Sequence, residues 1–141
     1  MRIAVIDGQG GGIGAHIVER MRKELPPEVE IIALGTNAIA TSLMLRAGAN
    51  EGATGENAIV QNVVQVDVIT GSISIVLAHS MLGELTPAMA EAIAKSKAKK
   101  LFLPVNRQGV EVIGVVPEPL PHQIAALVAR IKKIMEGKDN V

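Results

Sequence analysis

The chain has 141 residues, with 14 Lys+Arg balanced by 14 Asp+Glu. That is the length of one ordinary domain, and it lacks the basic excess that a general nucleic-acid binder needs. There is no Cys, Trp or Tyr and a single Phe, Phe102, which excludes disulfides, thiol chemistry, Cys-held metals and a tyrosine acid, and leaves no set of aromatic platforms for stacking bases. Hydrophobic residues make up 48% of the chain, enough for a packed core, yet no apolar run reaches the ~18–20 residues of a membrane span. With the first strand starting at Met1, the reading is a single cytoplasmic domain over residues 1–136 without a signal peptide, followed by a frayed tail at 137–141.

Apolar runs and helical patterns alternate along the chain. Ile3 to Ile6 is a short run stopped by Asp7-Gly8 and reads as a buried strand. From Gly12 to Leu25 the residues Ile13, Ile17, Met21 and Leu25 mark one face of a helix, which Pro26-Pro27 ends. Val29 to Leu34 predicts a second strand, and Thr36 or Asn37 can cap a helix running to Ala47 and Gly48. Ala49 to Glu56 reads as a small-residue loop before a short helix at Asn57 to Val63. Val66 to Thr70 predicts the third strand, ending at Gly71-Ser72. Residues 73–85 fit a strand extension, a helix or a packed loop. Thr86-Pro87 opens a helix to about Ala94. Lys100 to Val105 predicts a fourth strand, Asn106 to Gly109 a turn, and Val110 to Val115 a fifth strand pairing back as a hairpin. Pro117, Pro119 and Pro121 make a stiff connector, and Ile124, Leu127, Val128, Ile131, Ile134 and Met135 line one face of a last helix. Alternating β and α units predict an α/β, doubly wound, Rossmann-like sheet of five strands. The expected order is 3-2-1-4-5, mainly parallel with the last strand antiparallel.

The stretch Asp7-Gly8-Gln9-Gly10-Gly11-Gly12-Ile13-Gly14-Ala15 carries the most chemistry. It follows the first strand and opens the first helix, and it holds five glycines in seven positions. A tight βα turn needs one or two. Gly10-x-Gly12-x-x-Ala15 fits the dinucleotide fingerprint, and Gly8-x-x-x-Gly12-Ile13-Gly14 fits a wider spacing. In either register the backbone can approach a phosphate and the first N–H groups of the helix can bind it. Asp7 would repel that phosphate unless it caps backbone N–H groups, which Asx residues do in turns, or meets Mg²⁺.

The wider spacing resembles the loop of short-chain dehydrogenases over about the first thirty residues. That family's catalytic Tyr is absent here, so its chemistry does not carry over. An NAD site also wants an acid at the end of the second strand, where this chain has Gly35-Thr36-Asn37. Ile32 to Ala38 and Arg46 to Gly52 are similar in order and spacing to the nucleotide loops of tubulin/FtsZ-like GTPases, though Gly71-Ser72-Ile73-Ser74 stands where that family's signature glycine loop would follow the third strand. Over its full length, from the Asp-Gly-Gln-Gly-Gly-Gly-Ile-Gly opening through Met81-Leu82-Gly83-Glu84, the chain resembles a family of short bacterial proteins of unknown function. That resemblance implies a Rossmann-like fold.

Other positions admit two readings each. Thr54-Gly55 is a ribose or anion contact, or a helix cap. Gly71 and Ser72 face the ligand crevice, or simply end a strand. Asn106 and Arg107 leave the fourth strand at the same edge, where Arg107 meets a phosphate or carboxylate or stays a surface cation. His79 and Ser80 are neighbours and do not make a nucleophile–base pair, so His79 reads as a buried, hydrogen-bonded residue. Glu84 is the nearest acid. His122 reads as a surface residue, and Lys95, Lys97, Lys99 and Lys100 as solvated charge. The three His, at 16, 79 and 122, lack metal-ligand spacing.

The expected ligand contacts are therefore Asp7, Gly8, Gln9, Gly10, Gly11, Gly12, Ile13, Gly14, Gly35, Thr36, Asn37, Thr54, Gly55, Gly71, Ser72 and Asn106. The expected cofactor is NAD(P) or a related nucleotide. The alternatives are a GTP-handling protein and a non-catalytic nucleotide-sensing or scaffolding module. A mean hydropathy of +0.34 predicts a homodimer or higher oligomer, formed through residues 73–85 or the last helix.

Overall fold

Strand β1 (Arg2–Asp7) buries Ile3 and Val5 on one side and Ala4 and Ile6 on the other. A strand apolar on both faces belongs in the middle of a sheet covered by helices on each side. The computed structural model describes residues 1–137 and has that layout. After β1 come α1 (Gly12–Glu24), β2 (Glu30–Gly35), α2 (Ala38–Ala47), β3 (Glu51–Thr54), α3 (Glu56–Asn62) and β4 (Val68–Ser72). A 3₁₀ turn at Ile73–Val76, α4 (Pro87–Lys95), β5 (Lys99–Leu103) and α5 (Leu120–Met135) complete it. The strand order is β3-β2-β1-β4-β5, and every pair is parallel. Among the described residues no helix is long and apolar enough to cross a membrane. The expected tail lies outside the described residues except for Gly137.

Two cores hold the layers together. Ile17, Val18 and Met21 of α1, Met44 of α2 and Ile124, Leu127, Val128 and Ile131 of α5 pack on the Ile3–Val5 face. Ile59 of α3, Ile75, and Met89 and Ile93 of α4 pack on the Ala4–Ile6 face. Each fully buried large side chain contributes about 1.5–3 kcal/mol. Helix ends follow local chemistry. The Asn37 side chain accepts from Ala40 N–H at 2.9 Å at the start of α2, and Thr86 accepts from Met89 N–H at 3.2 Å at the start of α4, with Pro87 behind it.

The order 3-2-1-4-5 is as expected, but different segments fill it. Glu51–Thr54, read as a loop, is the edge strand β3, paired with β2 from Ile32↔Glu51 to Gly35↔Thr54. The Asn50 side chain starts that pairing by accepting from Ile31 N–H at 2.8 Å. Val68–Ser72, expected beyond β2, therefore lies beside β1. The expected antiparallel strand at Val110–Val115 does not form, so the sheet is wholly parallel. Asn106 prevents the hairpin: its side chain donates to the Val110 carbonyl at 2.8 Å and accepts from Val110 N–H at 3.1 Å, taking both ladder groups of that residue. Gly109 and Gly114, at φ 73° and 94°, then turn the chain out of extended geometry.

From β1 the chain moves outward to β2 and β3, then crosses back to β4 and β5. The direction changes between β1 and β4, and the crevice beyond their carboxyl ends is where open α/β sheets bind ligands. Asp7 ends β1 there, and Ser72 ends β4.

Candidate functional site

The glycine loop closes as a turn, with Gly11 N–H on the Gly8 carbonyl at 2.9 Å. Gly11 sits at φ 73° just before α1, which has neither a side-chain cap nor an acid in its first turn. Asp7 lies beneath the loop and accepts from Gly8 N–H at 2.8 Å and Gly14 N–H at 2.6 Å, a backbone-capping geometry. Burial pushes its carboxyl above the usual range. The two backbone N–H groups pull against that, and the nearby Glu84 charge adds to it.

Gln9 N–H is taken by Glu84 at 2.8 Å. The N–H groups of Gly10, Gly12 and Ile13 have no hydrogen bond among the described residues. All three residues line a cavity of about 530 Å³, within the usual range for small-molecule sites. Asp7 to Gly11 complete the loop wall. Ser72, Ser74, Met81, Leu82 and Val105 to Gln108 form the rest.

The glycines of the loop differ in what they are for. A Cβ at Gly11 would lie 2.7 Å from Ala40 Cα, and one at Gly14 would lie 2.6 Å from Met44 Sδ and 2.9 Å from Asp7 Cβ. Those two glycines allow α1 to pack. A Cβ at Gly10 or Gly12 would meet nothing within 4 Å, and neither residue has a positive φ. The fold places no demand for glycine at these two positions, and both open onto the cavity.

The wall at β4 and β5 is braced by side chains. Ser72 Oγ accepts from Ser74 N–H at 3.1 Å, and Ser74 Oγ donates to Gln108 Oε1 at 3.0 Å. The Asn106 side chain also donates to the Pro104 carbonyl at 3.0 Å and accepts from Gln108 N–H at 3.1 Å. Arg107 is thereby held on a braced loop at the cavity and forms no ion pair among the described residues.

At the end of β2 the expected contacts are already engaged. Thr36 Oγ1 donates to Glu84 Oε1 at 2.6 Å, and Asn37 Nδ2 donates to the same oxygen at 2.8 Å and to the Gln9 carbonyl at 3.0 Å. Partial burial works against the Glu84 charge, but these donors and Gln9 N–H outweigh it and hold the carboxyl below its usual range. Gly35 packs against Thr41 and Asn37. Thr54 Oγ1 lies 2.7 Å from Thr41 Oγ1, and Gly55 N–H bonds the Gly35 carbonyl at 2.9 Å. Gly71 backs onto the Ile6 carbonyl, 2.5 Å from where a Cβ would stand.

Of the expected contacts, Asp7 to Ile13, Ser72 and Asn106 therefore share the cavity, while Gly14, the next residue, is buried against Asp7 and Met44. Gly35, Thr36, Asn37, Thr54, Gly55 and Gly71 do not line it. Ser74, Met81, Leu82, Val105 and Gln108 join it from outside the expected set, together with Arg107, for which the sequence left an anion contact and a surface cation both open. The even spacing of Ser72 and Ser74, and the adjacency of Arg107 and Gln108 to Asn106, were the available signals. His79, expected to be buried, is exposed at φ 73°. Ser80 is the buried neighbour, and its hydroxyl bonds the Ser74 carbonyl at 2.6 Å. Among the described residues no group of three metal-ligating side chains occurs.

Fold and site together define a doubly wound α/β protein with a glycine-loop cavity at its topological switch point. The chain belongs to the family described as "Domain of unknown function (DUF3842)", which matches residues 2–136. No curated protein matches it. Among solved structures it is similar in fold to the dodecameric FMN-dependent UbiX-like decarboxylase of Escherichia coli O157:H7, with a TM-score of 0.54 and 13% identity. The likeness covers 96% of this chain and 95% of that one.

Proposed function

We propose that the chain holds a phosphate-bearing cofactor of mononucleotide size, with flavin mononucleotide as the first candidate. The observation that carries this reading is the pair Gly10 and Gly12. Their glycine identity has no use in the fold, yet both line the cavity and leave their N–H groups unbonded, as Ile13 does. Three unbonded N–H groups about the start of α1 suit a phosphoryl group, and glycine at these two positions keeps side chains away from it. Arg107 is the cation within the same cavity that can meet a second anionic part of the ligand or its substrate. Ile13, Met81, Leu82 and Val105 supply apolar contact for a ring, and Ser72, Asn106 and Gln108 supply polar contact. A bound flavin would supply electron or hydride transfer. The residues named here bind it, orient it and limit the approach of water.

Two observations set a mononucleotide ahead of NAD(P). The fold neighbour is described as FMN-dependent. The polar groups at the end of β2, where a dinucleotide's ribose would bind, are engaged by Glu84. The GTP reading rested on the order and spacing of Ile32 to Ala38 and Arg46 to Gly52, and within these segments Thr36, Asn37 and Asn50 serve the fold, Asn50 by starting β3.

The test is a titration of the purified protein with FMN, followed by flavin fluorescence, in the wild type and in Gly12→Ala. The reading expects saturable binding that inorganic phosphate weakens, and at least a tenfold loss in Gly12→Ala, about 1.4 kcal/mol or more, without loss of thermal stability. Absence of FMN binding, or equal binding by the variant, would contradict it.

A further inference from the structure

We propose that Glu84 is the specificity-determining residue of this site: its carboxylate plugs the β2 end of the crevice and restricts the ligand to one nucleotide unit. The inference rests on the proposed function and adds to it the residue that sets ligand size.

One oxygen, Glu84 Oε1, accepts from Gln9 N–H, Thr36 Oγ1 and Asn37 Nδ2 at 2.8, 2.6 and 2.8 Å. Those donors come from the glycine loop and from the turn after β2, 47 to 75 residues away in sequence. Thr36 and Asn37 stand where a doubly wound fold offers hydrogen bonds to the second ribose of a dinucleotide. With Glu84 in place both side-chain donors are used, and the position carries a negative charge that opposes a second phosphate. The cavity runs the other way, toward β4 and β5, and none of Glu84, Thr36 and Asn37 lines it.

The plug is held by the backbone. In the turn that delivers it, His79, Met81 and Leu82 have φ of 73°, 58° and 56°, and Gly83 has 93°. Non-glycine residues in this region persist only where surrounding contacts over-determine them. Here His79 N–H bonds the Leu85 carbonyl at 2.7 Å and Leu85 N–H bonds the Ser80 carbonyl at 3.2 Å. Ser80 Oγ ties the turn to the Ser74 carbonyl, and Met81 packs beneath Gly8, its sulfur 2.5 Å from where a Gly8 Cβ would stand. Leu82, 95% exposed, is left at the cavity rim.

The experiment measures the ratio of FMN to NAD⁺ affinity by calorimetry in the wild type, Glu84→Gln, Glu84→Asp and Glu84→Ala, with circular dichroism to check folding. The wild type is expected to favour FMN by at least about tenfold. Glu84→Gln keeps an acceptor oxygen at the same reach but loses the charge, so its ratio falls part of the way toward NAD⁺. Glu84→Ala empties the position, and its ratio falls at least about tenfold toward NAD⁺. Glu84→Asp, one methylene shorter, falls in between and serves if the Ala variant does not fold. FMN binding with the same ratio in a folded Ala or Asp variant overturns the role of Glu84 alone. A wild type that binds no FMN overturns the proposed function itself, and this inference with it.

Discussion

Thr70 is fully buried on β4, and its hydroxyl has no hydrogen-bond partner among the described residues. Leaving a buried hydroxyl unpaired costs about 1–3 kcal/mol, and a same-shaped apolar replacement removes that cost. Thr70→Val is therefore expected to leave stability unchanged or to raise it in urea denaturation, and a clear loss would show that the hydroxyl has a partner. The glycines give a sharper contrast. Gly14→Ala drives a Cβ into Met44 and Asp7 and is expected to cost about 1–3 kcal/mol, as overpacking does. Gly10→Ala meets open space, and unstrained Gly→Ala changes stabilise by about 0.4–1 kcal/mol, so its loss should appear in ligand binding alone. Asp7 and Glu84 titrate in opposite directions from their ordinary values. Because the folded Asp7 carboxyl is raised, the folded state holds the proton more tightly than the unfolded chain. Its contribution makes stability fall as pH rises from the ordinary Asp value through the raised one. Glu84 is lowered, so its contribution is present above the ordinary Glu value and lost as pH falls through the lowered one. Carboxyl NMR should find Asp7 titrating above the ordinary Asp value and Glu84 below the ordinary Glu value, and a shift the other way for either would refute the environment described for it.

At the scale of the element, what could be read from sequence followed from local chemistry. The first strand, the face of α1 through Ile17 and Met21, the Asn37 cap and the Thr86-Pro87 start are periodicity and capping, and they form as read. Strand β3 could not be read, because Glu-Gly-Ala-Thr has no apolar alternation and acquires its conformation by pairing with β2. Val110 to Val115 was misread for the opposite reason. Its β-branched residues signal a strand, but the Asn106 side chain and two left-handed glycines override them. The glycine loop was legible because its spacing is local. The Glu84 cluster was not, because its partners meet only in the fold. Asn106 is expected to be the brace of the cavity's β5 wall. Asn106→Ala should speed amide exchange at Gln108 and Val110 while the five strands keep their protection, and unchanged exchange there would show the loop is held by something else.

Across the molecule, exposed large apolar side chains among the described residues are scattered, at Ile39, Val64 and Leu82 for example, but they run together in one segment, Val110 to Val116. Ile113 is 90% exposed and Val116 72%, with Val110, Val112 and Val115 between 38% and 45%. The last helix, one of two segments expected to form an interface, packs Ile124, Leu127, Val128 and Ile131 on its own sheet. In the 73–85 stretch Ile75 is core, while Leu82 is exposed. An exposed apolar arm of this kind marks a contact surface, so light scattering is expected to find more than one copy per particle, and Ile113→Glu to reduce that number. The arm continues from Val105 to Gln108, which line the cavity, so association and ligand binding should affect one another. The crevice between β1 and β4 is lined by two glycines with unbonded N–H groups, at positions the fold does not need to be glycine. FMN titration paired with thermal unfolding of the wild type and Gly12→Ala decides whether they hold a phosphate. The variant is expected to be as stable as the wild type and to have lost at least about tenfold in affinity. A variant that binds FMN as well as the wild type, or a wild type that does not bind it, would rule out a phosphate at these two glycines.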